Sequence, residues 1–170
     1  MRRILGLVGF LTLFACNDGD LQIETIDFDS ASVQFCESAA DIDTSILFKI
    51  NTSEALILEL QSGVLQNEAS DGAISSAVPA QSQISYRIFS ENVTTAYFCD
   101  DIPPTTPTVI EEISANGGEV FITTVQSATD TTMYEHTIEL SGISLVNDNG
   151  ERITDLSINN FGTITTQLSN

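Results

Sequence analysis

The chain has no tryptophan, a single histidine (His136) and five lysines and arginines against 24 aspartates and glutamates. Each scarcity excludes something. Nucleic acid and anionic lipid headgroups are held by clustered positive charge, and a formal net charge of −19 supplies none. With one histidine, any imidazole-based triad or metal site has to use His136. It lies in an alternating run (Tyr134, His136, Ile138, Leu140 on one face) with no Gly-x-Ser-x-Gly elbow in the chain, so it reads as a structural histidine on a strand. The lack of tryptophan removes the commonest sugar-stacking platform. Acidity of this degree also occurs in disordered chains, but 42% hydrophobic residues with regular periodicity point to a packed core.

The one long apolar stretch is at the start. Met1-Arg2-Arg3 is followed by Ile4 to Ala15, which is shorter than the roughly 20 residues a helix needs to cross a bilayer. A basic start, a short apolar run and a small residue at its end are the parts of a cleavable export signal. Leu13-Phe14-Ala15-Cys16 resembles the lipobox of bacterial lipoproteins, with Phe14 bulkier than the residue usual at that place. That resemblance implies diacylglyceryl transfer to the Cys16 thiol, cleavage before it and acylation of the new amine. Several acyl chains at about 0.8 kcal/mol per buried CH₂ make such an anchor effectively permanent. Asn17-Asp18-Gly19-Asp20 then forms an acidic tether, and residues 21–170 are expected to form one domain.

Cleavage would leave 155 of the 170 residues, enough for one core, with only Lys49, Arg87 and Arg152 as cations. Cys16 being lipidated, Cys36 and Cys99 remain as an even pair in an oxidising compartment, without CxxC spacing. A disulfide between them is the expectation, with free buried thiols as the alternative. It would close a span of 63 positions, worth on the order of 4 kcal/mol in the chain-entropy model.

From Leu21 onward the periodicity is that of strands. Ser45–Ile50 and Ala55–Leu60 read as a hairpin across Asn51-Thr52-Ser53, and Gln83–Phe89 as a strand with Ile84, Tyr86 and Ile88 inward. Thr94–Cys99 reads as a helical turn. Val109–Ile113 and Glu119–Thr124 flank Asn116-Gly117-Gly118, which reads as a hairpin turn. Tyr134–Val146, Glu151–Leu156 and Gly162–Thr166 complete the set. Residues 62–80, rich in Ser, Ala and Gly, read as a long loop, and Pro103, Pro104 and Pro107 as a crossover between sheets. Eight or nine short strands predict an all-β fold, an antiparallel β-sandwich of immunoglobulin-like or jelly-roll-like kind.

The lipobox with its acidic tether, Cys36, Ile84-Ser85-Tyr86-Arg87-Ile88-Phe89 leading to Tyr97-Phe98-Cys99 and Ile102-Pro103-Pro104, and Val109-Ile110-Glu111-Glu112 with Gly117-Gly118 carry a further likeness. On these, the chain resembles a family of small, acidic flavobacterial-type lipoproteins. The resemblance spans most of the mature chain and implies compartment and anchoring but no particular activity.

No catalytic or metal site is expected. Asp100-Asp101 and Glu111-Glu112 are the adjacent carboxylate pairs that a polysaccharide hydrolase would have to use. Calcium is the one cofactor to weigh, through Asp27/Asp29, Asp41/Asp43 and Asp148-Asn149-Gly150-Glu151, none of which has the EF-hand spacing. Asp29-Ser30-Ala31 and Asp130-Thr131-Thr132 are similar to short bacterial O-glycan sites. The leading expectation is a lipid-anchored, non-enzymatic module of the cell envelope, at the outer membrane. Its partner would be an envelope protein or a glycan, and its binding residues would lie in the loop 62–80. A hydrolase and a calcium-stabilised adhesive domain are the alternatives.

Overall fold

The computed structural model describes residues 26–147, 149–150, 152–153 and 159–168. The elements in chain order are β1 (Ile46–Asn51), β2 (Glu54–Glu59), β3 (Ile74–Ala77), β4 (Gln83–Phe89), α1 (Ala96–Cys99), β5 (Val109–Gln126), β6 (Met133–Val146), β7 (Arg152–Ile153) and β8 (Asn160–Gln167). All strands pair antiparallel in one sheet of order β1-β2-β4-β5-β6-β7, with β3 beside the second half of β5 and β8 beside the first half of β6. The fold is therefore all-β, a single sheet curled into a half-barrel.

The curl originates in β5 and β6. In β5 the buried positions are Ile113 and Ala115, then Val120, Ile122 and Thr124, so the inward face changes parity. In β6 they are Tyr134, His136, Ile138 and Leu140, then Ile143 and Leu145. A strand can change parity without leaving the sheet only by a bulge, which also bends it. The β5–β6 register breaks at Ala115/Gly117 and Gly117/Glu119. Gly118 has φ of 119°, and a Cβ there would lie 2.9 Å from the Ile143 Cα and the Ser141 carbonyl oxygen. The expected hairpin turn at 116–118 is thus a bulge inside one 18-residue strand. Glycine's tolerance of positive φ serves a bulge as well as a turn.

Segment 26–44 spans the gap between the edges of β1 and β8. Gln34 bridges Phe48 of β1, and Ala40 bridges Thr166 of β8. Ile26, Phe28 and Ala40 enter the main core with Leu47, Leu56, Leu58, Ile84, Tyr86, Ile138, Leu145, Phe161 and Ile164, drawn from both halves of the sheet. On the other face of β1, β2 and β4, a second cluster of Phe48, Ala55, Ile57, Phe89 and Val93 would be bare without α1. Phe98 stacks on Phe48 (centroids 4.4 Å apart) and Tyr97 meets Phe89 edge-on at 4.9 Å. The Cys36–Cys99 disulfide fixes α1 to segment 26–44, with Cα atoms 5.1 Å apart. The Thr95 hydroxyl donates to Gln34 Oε1 at 2.6 Å beside it.

Two further expectations are corrected. Residues 62–80 are not a free loop: Ile74–Ala77 pair with Glu119–Ile122, and Val64, Leu65 and Val78 are buried in the core. The alternation there is short and interrupted by Ser and Gly, which hid it. The segment holding Pro103, Pro104 and Pro107 joins neighbouring strands, because β4 pairs directly with β5, and makes no crossover.

Candidate functional site

β1 reads Ile46-Leu47-Phe48-Lys49-Ile50-Asn51 and alternates sides. Phe48 faces the α1 cluster, so Leu47 and Lys49 face the main core. Lys49 is 5% exposed, the one lysine or arginine among the described buried residues. It lies on a cleft of about 620 Å³ at the seam where segment 26–44 meets β8. Asp29, Ala31, Ser32 and Val33 form one wall, and Asn159, Asn160, Phe161, Gly162 and Thr163 the other. The walls approach closely at Gly162, whose φ is 137° and whose absent Cβ would run into the Val33 side chain.

Burial pushes the Lys49 ammonium below its ordinary pKa, and the carboxylates of Asp29 and Asp27 offset part of that effect. Among the described residues no hydrogen bond or salt bridge reaches its Nζ. Desolvating a charge is costly unless direct partners compensate. The site therefore holds a cation whose hydrogen-bonding capacity is left to water or to a ligand. By contrast, Arg87 donates from Nε to Glu112 across β4 and β5 at 2.6 Å, an ordinary exposed pair.

No family model, curated protein or solved structure matches this chain. The site therefore has to be read from its own geometry.

His136 is fully buried and serves the fold. Its Nδ1 lies 2.8 Å from the Thr124 hydroxyl and its Nε2 2.8 Å from that of Thr166. Thr166 in turn donates to Asn67 Oδ1 at 2.5 Å. Since the Thr166 proton is committed to Asn67, Nε2 carries the imidazole proton and Nδ1 accepts from Thr124. The neutral ring is satisfied on both sides, and burial lowers its pKa. This polar chain ties β5, β6, β8 and the 62–73 segment together.

The carboxylate pairs stay apart from the cleft. Asp100 and Asp101 are exposed after α1, and Glu112 is engaged with Arg87 on the outer face. No aspartate or glutamate among the described residues is buried. Asp27 and Asp41 each accept a backbone N–H two residues on, from Asp29 and Asp43, which makes them turn-forming residues. Among the described residues no group of three or more His, Cys, Asp or Glu could hold a metal ion, and Asp148 and Glu151 lie outside those residues. Asp130 accepts from both the backbone N–H and hydroxyl of Thr132, which holds its carboxyl below the usual range and leaves Thr131 exposed. Cys16 and the expected signal and tether lie outside the described residues; among the described residues no helix is long and apolar enough to cross a membrane.

Reasoning from sequence did not single out Lys49. The available signal was a lone cation at an inward position of an otherwise apolar alternating strand.

Proposed function

We propose that this chain is a lipoprotein of the cell envelope, anchored at the outer membrane through lipid on Cys16. Its β-domain works as a non-catalytic binding or accessory module, and the seam cleft is where it takes its ligand. In this reading the two halves of the curled sheet serve as the layers of a sandwich of immunoglobulin-like or jelly-roll kind, with the shared core between them. The resemblance to flavobacterial-type lipoproteins supports the compartment. A disulfide suits an oxidising one.

The observation that carries the binding role is Lys49. The residue is only 5% exposed and burial lowers its pKa, yet among the described residues its ammonium makes no direct hydrogen bond or ion pair, so the tip that reaches the cleft is left for water or a ligand to complete. The strongly acidic chain turns away nucleic acid and polyanionic surfaces. An envelope protein or a glycan remains as the class of partner.

Two measurements test the proposal. Cells grown with labelled palmitate should yield a labelled, membrane-bound protein, and Cys16→Ser should lose both label and membrane association. An unlabelled soluble wild type would overturn the anchor. Hydrolytic turnover of a polysaccharide that disappears on replacing one of Asp100, Asp101, Glu111 or Glu112 would overturn the non-catalytic reading.

A further inference from the structure

The cleft sets one ammonium, from Lys49, and one lining carboxylate, from Asp29, into the same polar cavity. Each simple ligand charge leaves one of them opposed. A plain cation would be drawn to Asp29 but would face Lys49. A lone anion would pair with Lys49 and meet Asp29, with Asp27 close enough to act on the same ammonium. A polyanion would in addition work against the field of the whole chain, at −19. A neutral polyol would bring no charge opposite either the ammonium or the carboxylate, and so would forgo the ion pairing that both groups can make.

A ligand carrying both signs satisfies both groups and remains neutral in the long-range field. We infer that the seam cleft binds a zwitterion of amino-acid type, a free amino acid or short peptide with unblocked ends. Its carboxylate sits against the Lys49 ammonium and its amine toward Asp29. The volume of about 620 Å³ lies within the roughly 300–1,000 Å³ typical of small-molecule sites. It leaves room for a peptide of more than one residue. Ser32, Asn159, Asn160 and Thr163 supply donors and acceptors suited to a peptide unit. The inference deepens the binding reading above and rests on it.

The test uses the full lipidated protein in detergent micelles and a pooled library of unblocked dipeptides, followed by ligand-observed NMR. The best binder is then compared with its N-acetylated and C-amidated forms, and D-glucuronate serves as the acid lacking an amine. C-amidation should weaken binding about tenfold or more. Lys49→Met should do the same, and the two together should cost no more than either alone. N-acetylation and Asp29→Asn should form a second such pair. Lys49→Arg, which keeps the charge, should retain part of the affinity, and a thermal melt of each variant confirms that it is folded.

A silent dipeptide pool, or binding indifferent to blocking either end, would overturn the zwitterion assignment. Lys49-dependent binding of glucuronate in that case would leave the binding module standing with a different ligand. Binding by no probe, together with an envelope partner captured equally by wild type and Lys49→Met, would remove the cleft from the proposed function as well.

Discussion

Replacing Lys49 by methionine should make the protein more stable. Lys49 lines the seam cleft together with Asp29, Val33 and Phe161 and is 5% exposed, so its aliphatic arm already fills space that methionine would fill. What is lost is the ammonium, and the balance at that group is unfavourable to charge. Its pKa is lowered by burial even though Asp29 and Asp27 act to raise it. Removing a polar group whose desolvation no partner offsets, at little change of side-chain volume, is worth about 1–3 kcal/mol where that group is fully dry. The Lys49 head group adjoins a cleft that admits water, so the low end, about 1 kcal/mol, is expected. For a domain of this length that is a rise in Tm of about 2–4 °C. Thermal melts of the full protein at neutral pH measure it.

The pH dependence has a definite sign. Because the folded pKa is below that of the unfolded chain, the unfolded state holds the proton longer as pH rises. The penalty in the wild type is complete below the folded value and fades as pH climbs from there to about 10.5. The advantage of Lys49→Met should shrink over the same window. A Tm several degrees lower in Lys49→Met would refute the reasoning, because Lys49 would then be the clasp between the cleft walls and not a group awaiting a ligand.

Other consequences are equally direct. Replacing Cys36 and Cys99 together by alanine should cost about 4 kcal/mol through the released 63-position loop, a fall in Tm of about 8–16 °C by calorimetry. An unchanged melt would show that the aromatic stacking alone secures α1. His136 has a lowered pKa, so its contribution is present above about 6.5 and is lost as pH falls through its folded value. His136→Gln should flatten that part of the stability–pH curve, and curves of identical slope would contradict the burial argument. Gly162→Ala places a Cβ against Val33 at a φ of 137° and should destabilise by about 1–3 kcal/mol in urea unfolding. A neutral result would mean that the two walls can part freely.

Much of this architecture is written locally. The β1–β2 hairpin follows from two apolar runs flanking Thr52-Ser53, and Thr52 takes the positive φ that the turn requires (58°). The inward set Ile84 and Tyr86, the short helix before Cys99 and the cysteine pair itself are equally visible from spacing. The glycines alone suggest a turn, and the parity carries the bulge: Ile113 and Ala115 are odd positions, Val120 and Ile122 even, and a turn needs no such change. The site was hidden for a different reason. Its walls come from residues 29–33, 49 and 159–163, and only the curl of the sheet brings these together. The Asn67–Thr166 contact spans 99 positions and leaves no local trace either. Loop 66–74 does frame a second, shallower concavity with Glu68 and Asp71, but it contains no buried charge.

The most direct test of the seam cleft as a binding site is photo-cross-linking in living cells. A cross-linking residue is placed at the exposed Thr163 on the rim, in the otherwise unaltered lipidated protein and in its Lys49→Met variant. A recurrent adduct in the first that is depleted in the second, at equal protein levels, is the predicted result. The same adducts in both, or none beyond abundant envelope neighbours, would contradict the account and assign Lys49 to the fold alone.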